Sequence, residues 1–396
     1  DPSAIGAYAS AGARYGLAFL WVAPVLLPMM YAAVYLSSKL GMIYGKGLFD
    51  AIRDRFPRYV LVPAVAGGLL GNVIEAAADL GGIAAALNLF VPLPIPLIVA
   101  LVAAAGFALQ WFGSYHLLRS VFRWLALALF AYVAAALMAK PDLAEVLRGT
   151  LTPRILLDPE FMALAVACIG TSLSAYLYTW QSNQEVEEEI AEGRRRWWQR
   201  RGATRAELRQ TSHDVWAGMI FSNLILYFIV MATGATLHPA GQTEVETAAH
   251  AARALQPVAG DAAGLLFALG IVGVGLLAVP IMTTGAAYIV VQALGKRGSL
   301  HDQPRQAPTF YGVIAAVTVA AVGINALGFN PMKMLVWAGI VQGFSVPPML
   351  LLMLIMTNDR RLMGDKVNSL GTNLLAGATC LVTFAAAIVL VATWAL

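Results

Sequence analysis

The chain alternates long apolar runs with short charged or turn-forming stretches. Windows bounded by those stretches predict spans at about 3–16, 17–40, 58–83, 95–112, 120–139, 160–186, 214–235, 262–294, 308–327, 332–356 and 369–395, roughly eleven helical segments. Most approach or exceed the ~20 residues that cross a hydrocarbon core as a helix. Backbone groups in lipid must be satisfied within their own segment, so continuous apolar runs of this length are helices. Barrel strands would show short alternating segments instead.

Composition agrees with the pattern. The 396 residues are 59% apolar and 12% charged, with a mean hydropathy of +0.72. Soluble domains carry about 25% charged residues. Cys168 and Cys380 lie inside apolar runs and read as small core residues. The chain opens on Asp1-Pro2 with no Met, and a hydrophobic half-segment is expected to precede it.

Lysine and arginine set the orientation. With the end after Leu40 placed in the cytoplasm, that side takes Lys39, Lys46, Arg53, Arg55, Arg58, Arg119, Arg123, the arginines from Arg194 to Arg209, Lys296, Arg297, Arg305, Arg360, Arg361 and Lys366. The opposite loops keep Lys140, Arg148, Arg154, Arg253 and Lys333, and Arg14 falls within the first span. The bias predicts a multi-pass plasma-membrane (inner-membrane) protein with its charge-rich loops cytoplasmic. The run Arg194-Arg195-Arg196-Trp197-Trp198-Gln199-Arg200-Arg201 then reads as a juxtamembrane loop beside anionic lipid rather than a nucleic-acid site. Gln242–Leu255 has helix-like spacing and reads as an external surface segment.

Ten spans divide into five plus five. The expected units are a first repeat at 1–139, a second, inverted repeat at 160–356, and an extra C-terminal helix at 367–396. The first span opens with Asp1-Pro2-Ser3, and the sixth carries Gly170-Thr171-Ser172-Leu173-Ser174-Ala175 at its middle. Broken helices at matching positions of two inverted halves are a recurring transporter design. The competing reading of the sixth span is close helix packing through Gly and Ser.

Ionisable groups inside the membrane cost several kcal/mol and are candidates by default. Asp1 beside Pro2 would set a carboxylate among freed carbonyls, a hard-oxygen site for a cation; the plainer reading is a helix cap. Asn72, Glu75 and Asp79 share one helical face, either lining an aqueous path or forming a polar seam between helices. Glu75 and Asp79 are like charges one turn apart, which calls for a proton or a nearby cation. Tyr176, Gln181 and the acidic run Glu185, Glu187, Glu188 and Glu189 follow the sixth-span break. That run is either the inner mouth of a cation path or a solvated helix end. Gln342 and Ser345 precede Pro347-Pro348, facing the same cavity or relieving a proline kink. No nucleotide-binding, zinc-protease or phosphate-loop motif is present, and nothing points to an enzyme or a cofactor. The histidines at 116, 213, 238, 250 and 301 fall in loops or at span edges and are expected to be solvated.

With these residues in view, the chain resembles the Nramp family of divalent metal transporters over essentially its whole length. Asp1-Pro2-Ser3-Ala4-Ile5-Gly6-Ala7-Tyr8, with Ala11-Gly12-Ala13, is similar to the family's first-helix D-P-G-N motif. Ala78-Asp79-Leu80-Gly81 is similar to its third-helix acidic motif, and Lys39-Leu40-Gly41 through Gly45-Lys46-Gly47-Leu48 to its second-helix end. The resemblance implies an all-α membrane protein with a LeuT-type 5+5 inverted repeat and broken first and sixth helices. It also implies a metal site formed by the Asp and Asn of D-P-G-N, a Met of an M-P-H motif and a nearby carbonyl. Here Asp1 is kept, the Asn position holds Ala4, the Met position Ser174, the Pro Ala175, the first His Tyr176 and a second His Gln181, and the carbonyl belongs to Thr171. The metal set carried over is thus Asp1, Thr171 and Ser174, with Ser3, Asn72, Glu75, Asp79, Tyr176, Gln181 and Gln342 as cavity or pathway residues.

A thioether favours late transition metals, whereas carboxylate, hydroxyl, carbonyl and water favour Mg, Ca and Mn. A roomier oxygen-only site suits a partly hydrated Mg²⁺, which sheds water reluctantly. The pattern resembles the Nramp-related magnesium transporter branch, so Mg²⁺, with Mn²⁺ also carried, is the expected cargo. Loss of both histidines argues against proton coupling, and two charges crossing 100 mV already gain about 4.6 kcal/mol. The alternatives are a proton-coupled Mn²⁺ or Fe²⁺ carrier, an amino-acid carrier of the same fold, whose substrate carboxylate Asp1 would repel, and a non-transporting sensor. The expected partners are the metal ion and the bilayer, without nucleic acid; oligomeric state is left open.

Overall fold

A computed structural model describes residues 1–112, 129–296, 298–300 and 302–395, with Phe112 and Val258 described by their backbone alone. The part of the expected fifth span before Leu129, together with Arg119, Arg123, Arg297, His116 and His301, lies outside the described residues. All regular structure among the described residues is helical. In chain order the helices are α1 Pro2–Tyr15, α2 Val22–Tyr44, α3 Leu48–Arg55, α4 Arg58–Leu87, α5 Ile95–Phe112, α6 Phe130–Met138 and α7 Leu143–Leu151. Then follow α8 Pro159–Ser172, α9 Ala175–Ala191, α10 Trp197–Arg200, α11 Arg205–Thr236, α12 Ala248–Arg253, α13 Gln256–Ala259 and α14 Ala263–Ala293. The chain ends with α15 Pro308–Ala326, α16 Pro331–Asn358, α17 Arg360–Met363 and α18 Leu370–Ala395. Among the described residues, eight stretches are long and apolar enough to cross a bilayer, with α8 and α9 counting as one.

Three boundaries differ from the sequence reading, each for a local reason. The second span starts at Val22, because Gly16 takes φ 61° and the chain passes through a 3₁₀ turn, Gly16–Phe19. That backbone region is open to glycine and closed to most side chains. The seventh span begins at Arg205, not 214: Thr204 and Glu207 form a reciprocal cap, Glu207 N–H to Thr204 Oγ1 at 3.1 Å and Thr204 N–H to Glu207 Oε2 at 2.7 Å. The segment Gln242–Leu255 is helical only over α12, capped by Thr247. One expectation about histidines also changes. His238 turns Nδ1 to the Ala13 carbonyl oxygen at 2.9 Å, and His250 Nδ1 is buried.

The sixth span is two helices. Leu173 (φ −119°, ψ 21°) ends α8 and Ser174 (φ −59°, ψ 156°) begins α9. Both sequence readings of this region hold together. The chain breaks at Leu173–Ser174, and just before the break Gly170 lets α8 press onto α16. A Cβ on Gly170 would stand 1.9 Å from the Gly339 carbonyl oxygen, and one on Gly339 2.7 Å from that of Ala167. Around this seam α8 packs on α16, α1 on α11 and α16, α4 on α14 and α16, and α9 on α2. The two cysteines are buried and unpaired, as core residues.

Side-chain bonds sort the loops to two ends of the bundle. At one end Lys46 pairs with Asp54 at 2.6 Å, Arg55 with Asp359, Lys39 Nζ donates to Asn368 at 2.9 Å, and Arg53 donates to the Gln292 carbonyl. At the other, Arg14 meets Glu160 at 2.5 Å and Lys333 meets Glu246 at 3.3 Å. The first end gathers the basic segments singled out from the sequence. There burial draws the Asp54 carboxyl upward, but hydrogen bonds from Lys46 and Tyr44 prevail and hold it below its ordinary range.

The glycine seam yields a stability test. Gly170→Ala forces α8 and α16 apart and lowers stability by about 1–3 kcal/mol. Gly67, whose added Cβ meets nothing within 4 Å, serves as control. Gly67→Ala leaves the thermal midpoint in detergent unchanged or raises it, while Gly170→Ala lowers it. Equal midpoints for the two variants would contradict the packing.

Candidate functional site

The site begins with a helix start and a helix break that face each other. Asp1 caps α1: its Oδ1 accepts from Ala4 N–H at 2.6 Å, and Pro2 occupies the first helical position. Its Oδ2 accepts from the Tyr176 hydroxyl, in the first turn of α9, at 2.7 Å. The sequence offered a cap and a site as alternatives for Asp1. The carboxylate does the first with one oxygen and reaches across to the broken helix with the other. Tyr8 and Ser172, 2.7 Å apart through their hydroxyls, tie α1 to the last turn of α8.

A second set of polar contacts lies behind the first. Ser3 donates to Asp79 Oδ1 through its backbone N–H at 3.0 Å and its hydroxyl at 2.6 Å. Gln342 Nε2 donates to Glu75 Oε2 at 2.6 Å, while its Oε1 accepts from Ala175 N–H at 3.2 Å and from the Ser345 hydroxyl at 3.0 Å. One amide of α16 thus holds an acid of α4 and the first backbone donor of α9. Ser3, Glu75, Asp79, Ser174 and Gln342 are all fully buried. A polar group left unpaired in such surroundings costs roughly 1–3 kcal/mol, which makes the open positions informative. Among the described residues, no hydrogen bond of ordinary geometry reaches Glu75 Oε1, Asp79 Oδ2 or Ser174 Oγ.

Beside Asp1 is a cavity of about 190 Å³. Asp1, Thr171 and Tyr176 line it with Ser222, Met30 and Met219. It has room for several waters. Of the sequence candidates, Asp1, Thr171 and Tyr176 meet here. Ser174 does not line this cavity, and neither do Ser3, Asn72, Glu75, Asp79 and Gln342, which belong to the buried contacts behind. Asn72 donates to the Gly68 carbonyl of its own helix at 2.7 Å, and its Oδ1 faces Gly285 of α14. Gln181 donates to Glu185 at 2.9 Å, one turn further along α9.

Two methionines that reading around the breaks missed, Met30 and Met219, also line the cavity. Met30 belongs to α2 and Met219 to α11, remote in sequence from both motifs. Inside apolar runs a methionine looks like any core residue, so no sequence signal marked them. The Met30 sulfur already accepts from Asn223 Nδ2 at 3.7 Å. Among the described residues no three His, Cys, Asp or Glu side chains are grouped to hold a metal ion. A cation at Asp1 would therefore complete its shell with hydroxyls, water and the carbonyls that a helix end leaves unpaired. That is a workable donor set for a hard, partly hydrated ion.

The comparisons with known proteins agree with this architecture. The family model described as natural resistance-associated macrophage protein-like, Nramp, matches residues 1–393. The divalent metal cation transporter MntH of Aeromonas hydrophila subsp. hydrophila is 28% identical over 378 residues, covering 93% of this chain and 86% of the relative. The MntH of Klebsiella pneumoniae is 28% identical over 379 residues, covering 93% and 85%. Among solved structures, the Eremococcus coleocola manganese transporter in complex with an aromatic bis-isothiourea substituted compound superposes with TM-score 0.72 at 16% identity, covering 98% of this chain and 82% of that one. The inward-facing conformation of Mhp1 superposes with TM-score 0.54 at 15% identity, covering 99% and 89%. The fold is the inverted-repeat, LeuT-like one. The chain is a multi-pass membrane protein and not an enzyme, and it belongs to the Nramp family.

Proposed function

We propose that the protein is a secondary transporter that carries divalent metal cations, Mg²⁺ and also Mn²⁺, through the plasma membrane by alternating access. The observation that carries this reading is Asp1, a carboxylate at the start of α1 bonded to Tyr176 across the break between α8 and α9, beside a cavity that Thr171 also lines. The relatives named as divalent metal cation transporters point the same way. The ion rests against Asp1 with part of its water shell retained, in contact with Thr171. Ser174, whose buried hydroxyl makes no hydrogen bond of ordinary geometry among the described residues, joins the shell when the break rearranges. Behind the cavity, Glu75 and Asp79 form a buried acidic pair whose charge Ser3 and Gln342 moderate. The basic end of the bundle faces the cytoplasm. Transport runs down the electrical gradient without an obligatory proton.

A second reading rests on a specific observation: Met30 and Met219 are among the residues lining the cavity, and a thioether is the soft ligand that a proton-coupled carrier of Mn²⁺ or Fe²⁺ would use. Proteoliposomes separate the two. Mg²⁺ uptake with no lumenal acidification supports the first; Mn²⁺ or Fe²⁺ uptake that acidifies the lumen, with Mg²⁺ excluded, supports the second.

Two substitutions test the site. Asp1→Ala lowers Mn²⁺ affinity in calorimetry at least tenfold, about 1.4 kcal/mol, and abolishes uptake; unchanged binding would move the site elsewhere. Gln342→Leu leaves Glu75 and the Ala175 N–H without their shared partner and costs roughly 2–4 kcal/mol in thermal stability. Gln342→Glu restores an acceptor for Ala175 but sets a second carboxylate against Glu75. Its stability therefore rises as the pH is lowered, a dependence absent from Gln342→Leu.

A further inference from the structure

The loop between α9 and α11 carries an arginine–tryptophan surface that the transport reading does not use. We propose that this surface binds the anionic phospholipid headgroups of the adjoining membrane leaflet.

The arginines of the loop divide into two sets. Arg194 and Arg200 are turned inward and build the loop. Arg194 pairs with Glu189 at 3.4 Å, Glu192 at 3.5 Å and Glu207 at 3.8 Å. Arg200 Nε donates to the Gly45 carbonyl at 3.2 Å, and its Nη1 to those of Arg194 at 3.1 Å and Arg195 at 2.9 Å. Trp197 Nε1 donates to the Tyr44 carbonyl at 2.8 Å and Gly202 N–H to that of Ile43 at 2.9 Å. These bonds fasten the loop to the last turn of α2. The outer set, Arg195, Arg196 and Arg201 of the loop with Arg205 and Arg209 at the start of α11, is exposed. Arg201 donates to the Arg361 carbonyl at 3.5 Å and Arg205 lies in the field of Asp365, which leaves Arg195, Arg196 and Arg209 the least engaged among the described residues. Trp198 stands 64% exposed with the Arg196 guanidinium 5.1 Å from its ring centre.

The height of the loop selects the partner. α2 has 23 residues, and at ~1.5 Å per residue it is about 34 Å long, slightly more than a ~30 Å hydrocarbon core. A loop pinned to the end of α2 therefore lies at headgroup level. Unpaired guanidinium groups there attract anionic lipid, each contributing separately until screened by salt. An exposed indole at the same level is the usual interfacial anchor. A soluble polyanion would use the arginines but has no need of Trp198 at the bilayer edge.

The test uses the full chain purified in detergent, with native mass spectrometry reading retention of phosphatidylglycerol against phosphatidylcholine. The wild type is expected to prefer phosphatidylglycerol, with the preference falling as salt is raised. The triple substitution Arg195→Gln, Arg196→Gln, Arg205→Gln reduces that preference roughly tenfold. The matching triple change to lysine retains it, and Trp198→Ala weakens lipid retention at constant charge. The lysine triple and the salt series keep the test decisive if the glutamine triple fails to fold. A preference untouched by the glutamine triple, or insensitive to salt in wild type, would overturn the proposal. So would a short RNA, or inorganic phosphate, that binds wild type as tightly as phosphatidylglycerol and is lost in the glutamine triple.

Discussion

A carboxylate away from bulk water needs a partner for each oxygen, and Asp1 finds its two partners on opposite sides of a helix break. One is the amide of Ala4 in its own helix; the other is the hydroxyl of Tyr176 in α9. That division positions α1 relative to α9, and the remaining contacts follow. Ser3, two residues on, reaches Asp79 of α4. Glu75, one turn before Asp79, reaches Gln342 of α16, which returns to the first amide of α9. Four helices are thereby joined through largely buried groups that satisfy one another.

Much of the fold was legible in the sequence because the solvent change from water to lipid writes itself in long apolar runs. The spans at 308–327, 332–356 and 369–395 correspond within a few residues to α15, α16 and α18. Errors arose where polar residues continue a helix beyond the membrane, as in α11. There the Thr204-x-x-Glu207 cap was a readable signal outweighed by hydropathy. They also arose where a single glycine backbone angle, at Gly16, decides a boundary that no apolar count contains.

The site was legible in part. Asp1, Thr171 and Tyr176 were named from the two break motifs, and they share one cavity. The role of Gln342 was left open between a cavity residue and a kink, and its side chain makes a third kind of contact. It is a buried bridge, which depends on α4 and α9 lying beside α16. Met30 and Met219 were invisible because a methionine's meaning is set by what it faces, and sequence periodicity reports only that it faces something apolar. Asn72, Glu75 and Asp79 share a helical face as read, and the two acids are hydrogen-bonded to Ser3 and Gln342 of neighbouring helices.

The glycine contacts of α8 have a mechanical consequence. Gly170, Gly339 and Gly343 bring α8 and α16 to backbone contact, with α18 packed on both. Beyond the break, α9 lies instead against α2 and α14. The halves of one span therefore pack mainly on different neighbours, and the two-residue link Leu173–Ser174 is where those neighbourhoods join. Any rocking of one neighbourhood on the other concentrates its dihedral change at that link, adjacent to Tyr176. The Tyr176 hydroxyl on Asp1 spans that link, so a change of backbone angle at Leu173–Ser174 acts first on the bond to the carboxylate.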